Sequence, residues 1–156
     1  MAGIQTSIQK QSDGIIADRN VNMVSGTQLP YGDPWLQRQN EPSIAVSTRN
    51  PLHLLAGAND YRTIDMLEDY EPPGQDVSET ANPPREPWLG VFKSFDGGQS
   101  WISTLLPGFP QDNSLEGNLV RTDFQNATFR LDLYAAADPV VRAGTNGLFY
   151  YCGIAP

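Results

Sequence analysis

Apolar and polar positions alternate along the chain in short segments that have the two-residue period of β-strands. Residues 42–60, PSIAVSTRNPLHLLAGAND, hold two apolar segments separated by the polar turn TRNP. Residues 89–95, LGVFKSF, and residues 100–107, SWISTLLP, form a second pair around DGGQ. An Asp-Gly turn between apolar-rich segments is a strong hairpin signal. The pattern therefore predicts two consecutive β-hairpins.

A third hairpin predicted over residues 138–156, DPVVRAGTNGLFYYCGIAP, repeats the first one. With one gap in the turn, the two align from Glu41 to Gly57 and from Asp138 to Gly153, each opening on an acid followed by proline. Regular strand–turn–strand units indicate a repeat architecture. Four antiparallel strands per repeat are typical of a β-propeller blade, so the predicted fold class is all-β.

Three other segments lack this pattern. Residues 1–38 are polar and have room for one short strand that would close the last blade. Residues 65–88 carry seven acids against Arg85 and five prolines, which indicates a long acidic loop. We interpret this loop as a solvated insertion, with a calcium site as the alternative. Residues 108–131 are predicted to be a mixed polar loop.

Composition and charge narrow the classes of partner. The 14 glycines and 13 prolines indicate many turns, and a net charge of −8 disfavours nucleic acids and anionic membranes. No apolar run is long enough to span a bilayer, and no signal-peptide segment is visible at the N-terminus. Cys152, the only cysteine, is predicted to be a small buried strand residue.

The segment SFDGGQSW, residues 94–101, carries a specific motif. It resembles the Asp-box, Ser/Thr-x-Asp-x-Gly-x-Thr/Ser-Trp, which is the hairpin signature of the sialidase-type β-propeller superfamily, also called BNR repeats. The specified positions are all met, by Ser94, Asp96, Gly98, Ser100 and Trp101. Each has a sufficient local role in a turn, because the acid and hydroxyls satisfy backbone groups and glycine adopts positive φ. We therefore interpret the five residues as structural.

The resemblance covers residues 41–156 and implies a fold. The first full blade would span about 41–108 and the next would start at 138–156, giving about one and a half blades. The chain is then expected to be the N-terminal fragment of a longer protein and inactive by itself. Residues 39–156 form the propeller fragment in this interpretation, and residues 1–38 form a separate N-terminal segment.

For function, the resemblance implies a sialidase-like glycoside hydrolase, related to exo-α-sialidases, that acts on glycans. The alternative is a non-catalytic Asp-box propeller that binds a glycan or a protein on its loop-rich face. The Arg-Ile-Pro stretch of the sialidases is absent, and Asn40-Glu41-Pro42-Ser43 stands at the matching strand opening. The family implies no cofactor and is often secreted, which suggests an extracellular or periplasmic location.

Strand direction predicts where a site would lie. The Asp-box turn falls at one end of the blade, and the long loops together with Glu41 and Asp138 fall at the other, where the family keeps its active site. Asp60, Tyr61 and Arg62 are candidates for binding a sugar or an acid there, with Asp60 and Arg62 as catalytic candidates. A salt bridge that caps the strand is the alternative for these residues. Glu41 and Asp138 are further candidate binding residues, because at the strand openings they would line the axis. Turn caps at the strand openings are the alternative for these two acids.

Overall fold

The computed structural model describes residues 20–64, 86–126 and 135–155, and antiparallel β-sheet is the main structure in them. Helical structure is limited, within these residues, to one α-helix and one 3-10 turn. All three predicted hairpins are confirmed. In chain order the elements are β1 (Gln39–Val46), β2 (Leu54–Asp60), β3 (Trp88–Ser94), β4 (Ile102–Leu105), α1 (Leu115–Asn126), β5 (Ala137–Ala143), the 3-10 turn Thr145–Gly147, and β6 (Phe149–Ile154).

The first four strands form one antiparallel sheet in the order β1-β2-β3-β4. Side chains alternate between its two faces because successive residues of a strand point to opposite sides. Ile44, Ala56 and Phe92 are register partners and define the front face. Val24, from the segment before β1, packs there in an apolar cluster with Ala56 and Phe92. The front face is thus covered in part by residues that precede the sheet.

The hairpin of β5 and β6 packs against the opposite, back face of the first sheet. The Tyr151 ring lies where a Cβ on Gly57 would approach it to between 2.6 and 2.9 Å, so only glycine permits this contact. The Tyr151 hydroxyl donates to the carbonyl oxygen of Gly90 at 2.9 Å. The backbone N–H of Val141 donates to Ser43 Oγ, also at 2.9 Å. These contacts join the two sheets into one packed unit.

The repeat seen in the sequence extends to the backbone. Glu41 and Asp138 both adopt left-handed φ angles, of 52° and 56°. Each lies in a register irregularity of its hairpin, between Asn40 and Ser43 in β1 and between Ala137 and Val140 in β5. Such irregularities are the pattern of β-bulges, which bend a strand and redirect side chains. Both acid–proline openings therefore have the same local conformation.

One prediction for the segment after β4 is wrong. Residues 108–131 were expected to be a polar loop, but α1 occupies Leu115–Asn126. Ser114 precedes the helix, and its hydroxyl oxygen accepts the N–H of Gly117 at 3.0 Å, which is N-capping geometry. The acidic side chain of Glu116 in the first turn favours the helix through its dipole. Gly117 and Asn118 have low helix propensity and weaken the local helix signal in this stretch.

Cys152 was predicted to be buried, but it is exposed. It lies on the side of β6 that faces away from the first sheet, since its neighbour Tyr151 faces toward it. Two further predictions lie partly outside the described residues. These are the acidic loop with its calcium site, of which 65–85 are not described, and the strand in residues 1–38. The described part of that segment, residues 20–38, contains no strand.

Candidate functional site

The first sheet has two chemically different ends. Gln39 of β1, Asp60 of β2 and Trp88 of β3 are register neighbours at one end of the sheet. We call it the strand-start end because β1 and β3 begin there, while β2 ends there. The turn between β3 and β4, which contains the Asp-box sequence, lies at the other end. Glu41 and Asp138 lie near the first residues of β1 and β5, and so both are on the strand-start side.

The Asp-box turn is held by hydrogen bonds among its own residues. The Asp96 carboxylate accepts the Ser94 hydroxyl at 2.8 Å, the Ser100 N–H at 2.9 Å and the Ser100 hydroxyl at 2.5 Å. Gly98, at φ 94°, donates its N–H to Ser94 Oγ, and Trp101 Nε1 donates to the Gly98 carbonyl. The Ser100 hydroxyl, the Ser100 N–H and the Ser94 hydroxyl lower the pKa of Asp96 to about 2. Local structure accounts for all five residues.

Asp60 and Arg62 form a buried ion pair. Both side chains have 0% exposure, and Arg62 Nη2 lies 2.5 Å from Asp60 Oδ2. Arg62 Nη1 donates to Ser103 Oγ at 2.7 Å and to the carbonyl oxygen of Pro30 at 3.0 Å. The pair therefore ties the segment before β1 to the first sheet. This geometry favours the salt-bridge alternative over contact with a ligand, since neither charged group reaches the surface.

Tyr61 lies apart from that pair, although it stands between its members in the sequence. The guanidinium carbon of Arg38 lies 4.4 Å from the centre of the Tyr61 ring, a cation–π distance. Arg38 is exposed at the strand-start end. Sequence reasoning missed Arg38, because the polar segment that contains it gave no sign of pairing with the end of β2.

Glu41 and Asp138 are brought together by a residue that the sequence did not single out. Asn59 is 5% exposed, and its Nδ2 donates to Glu41 Oε2 at 3.0 Å. Asn59 Oδ1 accepts the backbone N–H of Asp138 at 2.7 Å. One buried amide thus fixes the openings of β1 and β5, while both acidic residues remain exposed. The available signal was a polar residue near the end of the apolar strand LLAGAND.

This arrangement presents two carboxylates and one guanidinium at the strand-start end. Exposed carboxylates accept hydrogen bonds from hydroxyl groups, and an arginine stacked on a tyrosine offers planar donors. Within the described residues, no three His, Cys, Asp or Glu side chains are grouped as a metal site requires. The helix in those residues is too short and too polar to cross a membrane.

Comparison with protein-family models, with curated proteins and with solved structures gave no significant match for this chain.

Proposed function

We propose that the chain is part of an Asp-box β-propeller of the sialidase-like kind, and that it binds carbohydrate at its strand-start end through Glu41 and Asp138. One observation carries the proposal. The acid–proline opening occurs twice with the same left-handed backbone, and one buried amide, Asn59, holds both openings.

The packing of the sheets supports the propeller part of the proposal. A blade is a four-stranded antiparallel sheet, and blades pack face to face around an axis. The order β1-β2-β3-β4 is that of such a blade, with the Asp-box sequence in its last turn. The hairpin of β5 and β6 packs on its back face, with β5 against β1 and β2. In this proposal β1 and β5 are the innermost strands of consecutive blades.

The acid side chains are the reason for assigning the site to this end. A glutamate at positive φ, as at position 41, costs on the order of 1 kcal/mol or more, and asparagine or glycine would adopt the conformation more easily. Aspartate, as at position 138, tolerates this conformation better. The hydrogen bonds from Asn59 involve only some of the polar atoms of each acidic residue. Asn59 contacts the Glu41 side chain but only the backbone of Asp138. Carboxylates near a propeller axis are well placed to accept sugar hydroxyls.

Hydrolysis is a second candidate function, which the pair of carboxylates favours. Glycoside hydrolysis usually requires two carboxyl groups that flank the bond to be broken. The geometry does not assign Arg62 the role of binding a substrate carboxylate, because Arg62 is buried in its pair with Asp60. A hydrolase of this kind would need further groups around the same axis.

The test is carbohydrate binding by the chain and two variants. An array of neutral, amino and sialylated oligosaccharides, followed by calorimetry on the best ligand, should identify binding that Glu41→Gln and Asp138→Asn each weaken about tenfold, or roughly 1.4 kcal/mol. Glu116→Gln on α1 makes the same charge change and should bind as the parent does. Turnover of a fluorogenic sialoside that both variants abolish would support the hydrolase. Absence of binding to any glycan, or unchanged binding by both variants, would refute the proposal.

A further inference from the structure

The exposed side chain of Arg38 lies on the same side of the first sheet as Asn59. The antiparallel pairing of β1 and β2 continues for one residue pair beyond β2, because the Tyr61 N–H donates to the Arg38 carbonyl oxygen at 3.3 Å. This pair follows the Asn40–Asn59 pair by two residues. Residues two apart along a strand point to the same side and are about 7 Å apart. Arg38 and Tyr61 therefore extend the row of side chains that includes Asn59.

The two acidic residues of the proposed site are held by the same row. Asn59 Nδ2 donates to Glu41 Oε2 at 3.0 Å, and Asn59 Oδ1 accepts the Asp138 N–H at 2.7 Å. Arg38, Glu41 and Asp138 are all exposed. One guanidinium therefore joins the two carboxylates at the strand-start end, and the three charged residues are held there by contacts with Asn59 and Tyr61.

The guanidinium of Arg38 has donors to offer to a ligand. Its carbon lies over the Tyr61 ring at 4.4 Å from the ring centre. A guanidinium that stacks by its face directs its N–H groups outward in its own plane. Among the described residues, no acceptor takes a hydrogen bond from these groups, whereas each nitrogen of the Arg62 guanidinium donates to Asp60, Ser103 or a backbone carbonyl. Tyr61 thus positions donors that the described part of the fold does not use.

We infer that Arg38 is a third binding residue of the carbohydrate site and that it limits the site to uncharged sugars. The inference rests on the proposed function. A hydroxyl group both donates and accepts, so neighbouring hydroxyls satisfy the carboxylates of Glu41 and Asp138 and the guanidinium at once. An ammonium group only donates, and it leaves the guanidinium unpaired beside a like charge. A sugar carboxylate only accepts, and it meets two like charges on a chain whose net charge is −8.

The test is an array of glucose, galactose and mannose oligosaccharides, each in a neutral, a 2-amino and a 6-carboxylate form, together with sialylated oligosaccharides. By calorimetry, the parent chain should bind a neutral form about tenfold more tightly than its charged counterparts. Arg38→Gln should weaken the binding of that neutral ligand about tenfold. It should also make the 2-amino form the preferred one, because two carboxylates then remain without a cation. A purely structural role of Arg38 would not reverse the preference.

Arg49→Gln is the matched control, because Arg49 is exposed in the turn at the opposite end of the sheet, and it should bind as the parent does. Tyr61→Phe keeps the ring and should also bind as the parent does, while Tyr61→Leu should weaken the neutral ligand about threefold. Circular dichroism spectra verify that each variant is folded.

Two results would overturn this inference alone. They are a parent chain that prefers a charged form, and an Arg38→Gln variant that binds the neutral ligand as the parent does. In either case the proposed function would stand if Glu41→Gln still weakens binding. A parent chain that binds no glycan would overturn the proposed function and this inference together.

Discussion

Two aspartates of the first sheet use their carboxylates for structure in different ways. Asp60 is buried against the guanidinium of Arg62, while Asp96 accepts hydrogen bonds from serines in a turn at the other end. The buried pair is held by charge neutralisation in a region that excludes water, and the turn is held by hydrogen bonds to an ionised acid. The stability contributed by the buried pair should therefore depend on the partner residue Arg62. The stability contributed by the Asp96 turn should depend on pH.

Replacing Arg62 should destabilise the fold more than any surface substitution. Arg62→Met leaves the Asp60 carboxylate buried without its partner, which typically costs about 3–5 kcal/mol. Urea unfolding would measure the loss. The double variant Asp60→Asn with Arg62→Met leaves no buried charge, and should lose less than the sum of the two single variants. Full stability of Arg62→Met would contradict the assignment of this residue to the fold.

The stabilising effect of Asp96 should depend on pH. Its pKa is lowered from 3.8 to about 2 in the folded protein, chiefly by the Ser100 hydroxyl. Because the folded-state pKa is the lower one, the ionised form stabilises the fold above pH 3.8, and this contribution is lost as the pH falls to about 2. The melting temperature of Asp96→Asn should be below that of the parent at pH 7, with the gap closing over that range.

Ser100→Ala, which removes the largest cause of the pKa shift, should show a weaker pH dependence than the parent. A gap between the parent and Asp96→Asn that is the same at pH 7 and pH 2 would contradict the role of the ionised carboxylate.

Among the elements, strands and hairpins followed from the sequence, while the helix and the links between elements did not. The apolar period and the DGGQ turn identify β3 and β4 because both signals are local. Ser114 is an N-cap signal for α1, but Gly117 and Asn118 three and four residues later weaken it. The pairing of Asn59 with Glu41 and Asp138 connects residues far apart in the chain. No local pattern encodes such a pairing.

Close packing of the two sheets should be sensitive to the side chain at position 57. Gly57→Ala places a Cβ within 2.6 Å of the Tyr151 ring, so the ring or the strand must shift. Overpacking of this kind costs about 1–3 kcal/mol, measurable as a lower urea midpoint with an unchanged m-value. Tyr151→Phe is the control, because it loses only the hydrogen bond to Gly90, worth about 1 kcal/mol. A Gly57→Ala variant as stable as the parent would mean that the sheets are less closely packed.

At the scale of the whole molecule, the described residues act as one layered unit. The segment before β1 covers part of the front face through Val24 and through the bonds of Arg62, and the β5–β6 hairpin covers the back face. The sequence repeat predicted that the hairpins are alike, but not which faces meet. That outcome depends on Gly57 leaving room for Tyr151, a contact between positions 94 residues apart.

If the layers form one unit, weakening the contact between the sheets should lower the stability of both. Val141 has no exposed surface and lies between them. Val141→Ala removes buried methyl groups at a cost of roughly 1–3 kcal/mol. Native-state hydrogen exchange followed by mass spectrometry should then show an equal loss of protection in peptides from β5 and from β3. Leu119→Ala, at an exposed position of α1, should leave both unchanged. A loss confined to β5 and β6 would mean that the hairpin unfolds by itself, and that the first sheet is stable without the packing on its back face.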